Sequence, residues 1–178
     1  MNDLEPKPST LLLRKGRNRP DDFQTPEWPV EALIKAVNLS KNDIVWEPAC
    51  GKGNIVSTLT NNGYVAFGTD ITDGADFFTY QPDQKFDVII TNPPYSLKDR
   101  FLDRCYQLHR PFALLLPLTA LEGIKRQKMY RDNGIQIIFL PRRVNFETPS
   151  GQGKGSWFAT AWFTWGFDLP SDIVFLEK

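Results

Sequence analysis

The chain has 178 residues, the size of one domain, and its 21 basic and 21 acidic side chains leave no net charge at pH 7. Neutrality excludes a protein that is basic over its whole surface, although it is compatible with a local basic face. A hydrophobic content of 41%, with 13 Phe, 5 Trp and 5 Tyr, excludes a largely disordered chain.

The numbers of cysteine and histidine residues and the length of the apolar runs exclude further kinds of site and of protein. Cys50 and Cys105 are too few for a disulfide framework or a zinc site, and one histidine, His109, cannot form a two-imidazole site. We therefore predict no metal. The N-terminus carries charges where a secretory signal is apolar, and the longest apolar run, residues 112–118, is far shorter than the roughly 20 residues that span a bilayer. We expect a cytoplasmic protein without membrane contact.

The first part of the chain differs in composition from the rest. Residues 1–21 contain three prolines and a basic cluster, and we predict a flexible N-terminal arm there. An ordinary frayed terminus and an arm that contacts nucleic acid both fit this composition. We assign residues 22–178 to a single domain. The basic cluster of the arm consists of Arg14, Lys15, Arg17 and Arg19.

Helices are expected at four places along the domain, three of them with a capping signal. Thr25 is the expected N-cap of a first helix, with Pro26 in its first turn and apolar residues spaced for one buried face. Capping-box pairs predict two further helix starts, one at Ser96 with Asp99 and one at Thr119 with Glu122. A short helix is also expected between the first two strands. The apolar face of the first helix comprises Val30, Leu33, Ile34 and Val37.

Seven strand-like runs alternate with these helices. Such alternation predicts a parallel sheet between helix layers, whereas the last two runs lack an intervening helix and predict an antiparallel terminal hairpin. The expected fold class is α/β: a Rossmann-like, doubly wound, seven-stranded sheet, mostly parallel, with an antiparallel C-terminal strand toward one edge. The runs are residues 43–49, 64–71, 86–95, 111–118, 135–141, 157–167 and 172–178.

A glycine turn follows the first strand, in the sequence EPACGKG at residues 47–53. Gly51 and Gly53 permit a tight turn and close approach of a ligand to the backbone. Asp70 ends the second strand about 20 positions after Gly51, where an acid is placed to bind ribose hydroxyls. No complete phosphate-binding fingerprint is present, so the ligand need not carry phosphates, and Glu47 favours a positively charged one. A plain strand-to-helix turn is the alternative interpretation.

A second motif, TNPPY, ends the third strand. Pro93 and Pro94 remove two backbone donors and stiffen the chain there. Asn92 and the prolyl carbonyls are left as acceptors for an amino group, and Tyr95 supplies a ring that can stack on a flat substrate. A proline turn that simply closes a strand is the alternative, but the glycine turn on a neighbouring strand favours a site.

The motifs EPACGKG, TDI, DFF and TNPPY, in this order, resemble those of the class I S-adenosylmethionine-dependent methyltransferases that modify the exocyclic amino group of adenine. The chain is similar to the permutation of that family in which a Gln-Thr-Pro helix precedes the glycine turn. The similarity covers about residues 22–167, so residues 22–178 would form a single methyltransferase domain. The cofactor implied is S-adenosylmethionine.

The resemblance also implies a role for each matching position. Against the methionine part of the cofactor it places Gln24, Thr25 and Pro26. For the cofactor floor it implies Glu47, Pro48, Ala49, Gly51 and Gly53. Around the ribose and the cofactor's adenine it places Asp70, Ile71, Asp76 and Phe77. As acceptors at the target amino group, next to the cofactor, it implies Asn92 and Pro93, with Pro94 and Tyr95 completing the motif. Around the target base it places Tyr95 and Phe146.

Charge is distributed unevenly, and this points to a polyanionic partner. Residues 41–87 contain three basic and seven acidic side chains, residues 98–131 eight and three, and residues 142–154 three and one. A basic substrate side opposite an acidic cofactor side predicts nucleic-acid binding that weakens steeply with salt. Solvated helix faces give similar patterns. The candidate phosphate contacts are Lys98, Arg126, Arg142, Arg143 and Lys154.

The expected activity is methyl transfer to the N6 amino group of adenine in nucleic acid. DNA is slightly favoured, because the motif order and the EPACGKG form resemble DNA-type adenine enzymes. A tRNA or rRNA substrate is the first alternative, since a short chain can recognise folded RNA by shape. Protein glutamine methylation and a catalytically silent binding subunit are further alternatives. A separate specificity subunit is compatible with the short chain, and the sequence leaves the oligomeric state open.

Overall fold

A computed structural model describes residues 23–148, 151–152 and 158–177. The predicted arm at residues 1–21 and the candidate phosphate contact Lys154 lie outside these ranges. Within them, no helix is long and apolar enough to cross a membrane.

One seven-stranded sheet organises the described part of the chain, in the order β2-β1-β3-β4-β8-β5-β9. Its strands are β1 (Ile44–Glu47), β2 (Val65–Gly68), β3 (Val88–Thr91), β4 (Phe112–Pro117), β5 (Gln136–Phe139), β8 (Thr160–Trp165) and β9 (Ile173–Phe175). A separate antiparallel hairpin joins β6 (Glu147–Thr148) and β7 (Gly151–Gln152). All six residues of β4 and all four of β3 are buried, as expected for central strands covered on both faces.

The predicted fold class is confirmed, but the terminal hairpin is wrong. β8 lies antiparallel between β4 and β5, in the sheet interior and not toward an edge. β9 pairs with β5, and the two strands are parallel. The physical reason is burial: β8 is buried from Thr160 to Thr164 and needs neighbours on both sides, whereas β9 exposes Ile173 and Phe175 and suits an edge.

Within the described ranges, four α-helices flank this sheet: α1 (Glu27–Ala36), α2 (Asn54–Asn61), α3 (Lys98–Leu108) and α4 (Ile124–Asn133). α1 buries Val30 and Leu33, and the indole of Trp162 in β8 donates a hydrogen bond of 2.9 Å to the Pro29 carbonyl. This bond ties the start of α1 to the centre of the sheet.

The three predicted helix caps are wrong. Pro26 takes the N-cap position of α1, and no side chain caps that helix. A 3₁₀ turn, Tyr95–Leu97, precedes α3, so that helix begins after Ser96. Another, Leu118–Leu121, precedes α4, whose N-cap is Gly123. The carboxylate of Asp99 pairs with Arg126 at 2.7 Å, a long-range contact that replaces the local box.

Candidate active site

Three neighbouring parallel strands bring the predicted motifs to one edge of the sheet. β1 ends at Glu47, β3 is followed directly by Asn92, and Asp70 comes two residues after β2. β1 lies between β2 and β3, with Glu47 in register with Gly68. Because ligands of open α/β sheets bind outside the carboxyl ends of the strands, these side chains mark the expected binding edge.

The turn after β1 requires glycine. Gly51 has φ +49° and Gly53 has φ +79°, a left-handed conformation that residues with a side chain rarely adopt. A Cβ atom at Gly51 would also lie 2.7 Å from Nε2 of Gln24. The N–H of Gly51 donates to Oδ2 of Asp70 at 3.0 Å, which joins the turn to the end of β2. The turn therefore depends on glycine for its left-handed conformation and is fixed to the end of β2 by Asp70.

The segment before α1 is anchored to this turn. Oε1 of Gln24 accepts a hydrogen bond from the N–H of Lys52 at 3.1 Å, and the carbonyl of Thr25 accepts one from the Asn54 side-chain amide at 3.2 Å. The hydroxyl oxygen of Thr25 is buried and has no hydrogen-bond partner within the described ranges. Pro26, the N-cap residue, directly precedes α1. The predicted Gln-Thr-Pro group thus lies against the glycine turn.

Glu47 is a buried carboxyl group, with 2% of its surface exposed. Its Oε2 accepts a hydrogen bond from the N–H of Val56 at 3.2 Å. Burial raises the pKa of Glu47 well above its usual value, although the Val56 bond opposes this and the nearby Asp70 charge adds to it. A cation bound beside this carboxyl would offset the cost of ionising it.

A cleft of about 220 Å³, including its open mouth, lies among these groups. Ala49 forms part of its wall, and the preceding residue, Pro48, is buried. The cleft therefore brings Glu47 and Asn92 together with Ala49 and Cys50 of the turn after β1. The other residues around it are Phe23, Gln24, Thr25, Glu47, Cys50, Asn54, Ile55 and Asn92.

The remaining predicted cofactor positions differ in their surroundings. Oδ1 of Asp70 accepts from the N–H and hydroxyl of Thr72 at 2.9 and 2.8 Å, at the start of the 3₁₀ turn that contains Ile71. Asp76 closes a turn by accepting from the N–H of Phe78 at 3.0 Å. The ring of Phe77 is buried in the core, stacked on Phe101 at 4.8 Å and edge-on to Trp46 at 5.4 Å. The structure therefore assigns Phe77 a packing role.

The two polar atoms of the Asn92 side chain have different surroundings. Its amide nitrogen donates to the main-chain carbonyl of Phe23 at 2.9 Å. Its carbonyl oxygen, Oδ1, is buried without a hydrogen-bond partner in the described part of the chain. Since the Phe23 carbonyl can only accept, the amide nitrogen must face it, and Oδ1 faces the other way as an acceptor. Pro93 is buried, and Pro94 directly precedes the 3₁₀ turn Tyr95–Leu97.

Four aromatic rings lie together beside Asn92, and we call them the aromatic cluster: Phe23, Tyr95, Phe146 and Phe158. The predicted base-binding pair, Tyr95 and Phe146, is brought together, with ring centroids 6.3 Å apart and the planes nearly perpendicular. Phe23 and Phe158 also contact Tyr95, at 5.6 and 5.4 Å.

The candidate phosphate contacts occupy unlike environments. The ammonium of Lys98 donates to the Tyr95 carbonyl at 3.2 Å, next to the aromatic cluster. Arg142 lies over the ring of Trp28, 4.6 Å from its centroid, and both Arg142 and Arg143 are exposed. Arg126 differs, because its guanidinium pairs with Asp99 and donates to the Ala120 carbonyl at 2.8 Å. We therefore infer that Arg126 stabilises the packing of α4, through Asp99 of α3 and the carbonyl of Ala120.

Sequence reasoning missed three residues at this site. Phe23 and Phe158 complete the aromatic cluster, and Asn54 bonds the carbonyl of Thr25. Phe23 stands directly before the Gln-Thr-Pro group, which is a signal that could have identified it. Phe158 lies far along the chain from Tyr95, and no local pattern connects the two.

Comparison with known proteins identifies the fold. No protein-family model matches the sequence, and no significant match exists among curated proteins. Solved structures do match, including a modification subunit assigned to a type I restriction enzyme from Vibrio vulnificus YJ016, with TM-score 0.54, 16% identity, and 85% of this chain and 45% of that one covered. This chain thus spans less than half the length of that subunit.

Two further structures show the same architecture. The 23S rRNA methyltransferase ErmE matches with TM-score 0.55 and 13% identity, over 88% of this chain and 72% of that one. The tRNA (m1A58) methyltransferase TrmI from Aquifex aeolicus matches with TM-score 0.50 and 15% identity, over 80% and 70%. At these identities the comparison establishes the fold: a Rossmann-like α/β sheet shared with methyltransferases.

Proposed function

We propose that this protein is an S-adenosylmethionine-dependent methyltransferase that acts on the exocyclic N6 amino group of adenine in nucleic acid. One observation carries the proposal: Oδ1 of Asn92 is buried and unpaired among the described residues, on a residue that lines the cleft and whose amide nitrogen is bonded to the backbone of Phe23, a member of the aromatic cluster. An acceptor without a donor, beside rings that can stack, is complementary to a flat base bearing an amino group.

The cleft residues fit the cofactor. Buried Glu47 has no countercharge within the described ranges and suits a cationic ligand, and the unpaired hydroxyl of Thr25 offers a hydrogen bond to a polar one. We assign the ribose hydroxyls to Asp70 and the methionine part to the segment of Gln24, Thr25 and Pro26. When bound, S-adenosylmethionine supplies an electrophilic methyl group on a sulfonium. Ile71 and Asp76 are the proposed neighbours of its adenine ring.

The protein's own part in the reaction is to orient the target nitrogen. The lone pair of an aromatic amine is delocalised into the ring, so the amine is a poor nucleophile. Acceptors at Asn92 Oδ1 and the Pro93 carbonyl would hold its two N–H groups and favour a pyramidal nitrogen whose lone pair points away from them. Catalysis would then rest on positioning and electrostatic complementarity, with no strong base required.

We favour DNA over RNA as the substrate because of the motif order and the form of the glycine turn. The similar structures include both a modification subunit assigned to a type I restriction enzyme and methyltransferases of rRNA and tRNA, so they do not decide between the two polymers. A base inside a duplex is out of reach, and the target must be extruded or single-stranded. Exposed Arg142 and Arg143 are the proposed phosphate contacts. A partner that supplies sequence specificity is a further part of the proposal.

The test combines binding with methyl transfer. Calorimetry with S-adenosylmethionine measures the cofactor affinity, and transfer of a radiolabelled methyl group is then measured on DNA, tRNA, ribosomal RNA and a glutamine-containing peptide. We expect cofactor binding and transfer to DNA. Transfer to RNA alone would show that the substrate is RNA and not DNA, and the proposed reaction would stand. Transfer to the peptide alone, or cofactor binding without any transfer, would contradict the proposal.

A further inference from the structure

The ring of Phe23 covers one face of Tyr95. Their centroids are 5.6 Å apart with the planes inclined by only 26°, which is a stacked pair. Phe146 and Phe158 surround the same ring but meet Tyr95 edge-on, at 75° and 82°. Of these three neighbours, Phe23 alone lies flat against the tyrosine.

The space between these two rings is too narrow for a base. A planar base stacked between two rings needs about 7 Å between their planes, because each contact requires about 3.5 Å. The centroids of Phe23 and Tyr95 are 5.6 Å apart, so the gap between the planes cannot exceed that distance. Either the rings separate or one of them leaves before a base can stack on this face.

Phe23 has an anchored backbone and a less confined side chain. Its carbonyl accepts the Asn92 amide at 2.9 Å, and the next residue, Gln24, is bonded to the N–H of Lys52. The residue is only half-buried, whereas Tyr95 and Phe146 are buried. Rotation of the Phe23 side chain can therefore uncover Tyr95 while the bond that orients Asn92 persists.

We propose that Phe23 is a specificity-determining residue whose ring occupies the stacking position of the target base and is exchanged for that base. This inference rests on the proposed function. Because entry replaces one stacked ring by another, a flat purine recovers the lost stacking with Tyr95, whereas a glutamine side chain recovers little of it. Phe23 would thereby select planar substrates over aliphatic amides at the same acceptor, Asn92.

The experiment uses binding, which needs no turnover. The probe is a single-stranded pyrimidine oligodeoxynucleotide carrying one 2-aminopurine, with an all-pyrimidine oligonucleotide of equal length as reference. We expect Phe23→Ala to bind the 2-aminopurine probe about 2- to 10-fold more tightly than the wild type, the range of an aromatic stacking contact. The gain should be smaller for the reference, because a pyrimidine is also flat but covers less of the Tyr95 ring than a purine does. Phe23→Leu keeps an apolar side chain but has no flat face, so its affinity for the probe should lie between those of the wild type and Phe23→Ala.

The matched control is Phe158→Ala, which also removes a ring beside Tyr95 but one that meets it edge-on. It should not tighten probe binding. The inference is overturned if Phe23→Ala and Phe23→Leu bind the probe no better than the wild type, including the case in which none of them binds it. Methyl transfer by the wild type is scored separately. If the wild type methylates nucleic acid but the Phe23 variants do not bind the probe more tightly, this inference is wrong and the proposed function stands. If the wild type transfers no methyl group, the proposed function is contradicted.

Discussion

The N–H of Gly51 and the carboxylate of Asp70 form a hydrogen bond of 3.0 Å that joins the turn after β1 to the end of β2. The second carboxylate oxygen of Asp70 accepts two bonds from Thr72. Asp70 thus holds the glycine turn in place at the position where the ribose of the proposed cofactor is expected. A single side chain connects the shape of the turn to ligand binding.

Replacing this carboxylate should therefore affect both stability and binding. Asp70→Ala leaves the Gly51 N–H without its partner, and we expect a loss of about 1–3 kcal/mol in unfolding free energy. We also expect S-adenosylmethionine affinity to fall at least about 10-fold by calorimetry, the effect of losing one charge-assisted bond. Asp73→Ala, an exposed carboxylate in the same turn, is the control. Unchanged cofactor affinity in Asp70→Ala would refute the ribose assignment.

Asn92→Ala should separate chemistry from cofactor binding. It removes the unpaired acceptor Oδ1, and we expect methyl transfer to fall by at least about 100-fold, as on removal of an electrostatic group from other active sites. The dissociation constant of S-adenosylmethionine should change only a few-fold. Asn92→Asp keeps an acceptor but loses the donor to the Phe23 carbonyl, so it should not restore activity. Persistent turnover in Asn92→Ala would show that its proposed role is wrong.

Glu47→Gln should raise stability in a pH-dependent way. The folded pKa of Glu47 lies above the unfolded value, so its contribution to stability is full below the unfolded pKa, about 4.3, and is lost as the pH rises through the folded pKa. For each pH unit by which the folded pKa exceeds the unfolded pKa, the unfolding free energy falls by about 1.4 kcal/mol once the pH is above both values. In thermal melts the melting temperature of Glu47→Gln should be higher than that of the wild type at pH 8, and the difference between the two should vanish near pH 4.

The same variant should bind S-adenosylmethionine more weakly, since it lacks the countercharge for a cation. A gain in stability combined with a loss of ligand affinity marks a carboxylate kept for binding. Glu27→Gln, on the exposed start of α1, should change neither quantity. A Glu47→Gln protein less stable than the wild type at pH 8 would contradict the assigned direction of the pKa change.

Substitution of Arg126 should lower the stability of the protein, whereas substitution of Arg143 should weaken its binding to nucleic acid. Arg126→Ala leaves Asp99 without its partner and removes the bond to the Ala120 carbonyl, so we expect about 2–3 kcal/mol of destabilisation in denaturant melts. Exposed Arg143→Ala should leave stability unchanged, weaken nucleic-acid binding at all sequences, and lower the slope of log K against log salt by about 1. A salt slope for Arg143→Ala equal to that of the wild type would exclude a phosphate contact there.

The arrangement of the glycine turn and of the side chains that follow the parallel strands was predictable because its determinants are local. A glycine turn with left-handed backbone, an acid after the next strand and a buried apolar run each follow from neighbouring residues in the chain. Glu47, Gly51, Asp70 and Asn92 accordingly lie at one edge, as their positions after parallel strands predicted.

Features that depend on distant partners were not predictable. Asp99 has the spacing of a capping box, yet its carboxylate is used by Arg126, 27 residues later. No helix separates β8 from β9 in the sequence, which predicts a hairpin, but β8 is buried and lies between β4 and β5. The contacts of Phe23 with Phe146 and Phe158 arise from packing across the whole chain.

The position of β8 also has a consequence for how the chain folds. β4 pairs with β8 along its full length, from Phe112 with Trp165 to Pro117 with Thr160. During synthesis, β4 emerges well before β8, and until then one side of a fully apolar strand has no hydrogen-bonded neighbour. Such an open edge is a template for aggregation. The nascent chain should therefore need protection until Trp165 has left the ribosome, and truncation before β8 should yield insoluble protein.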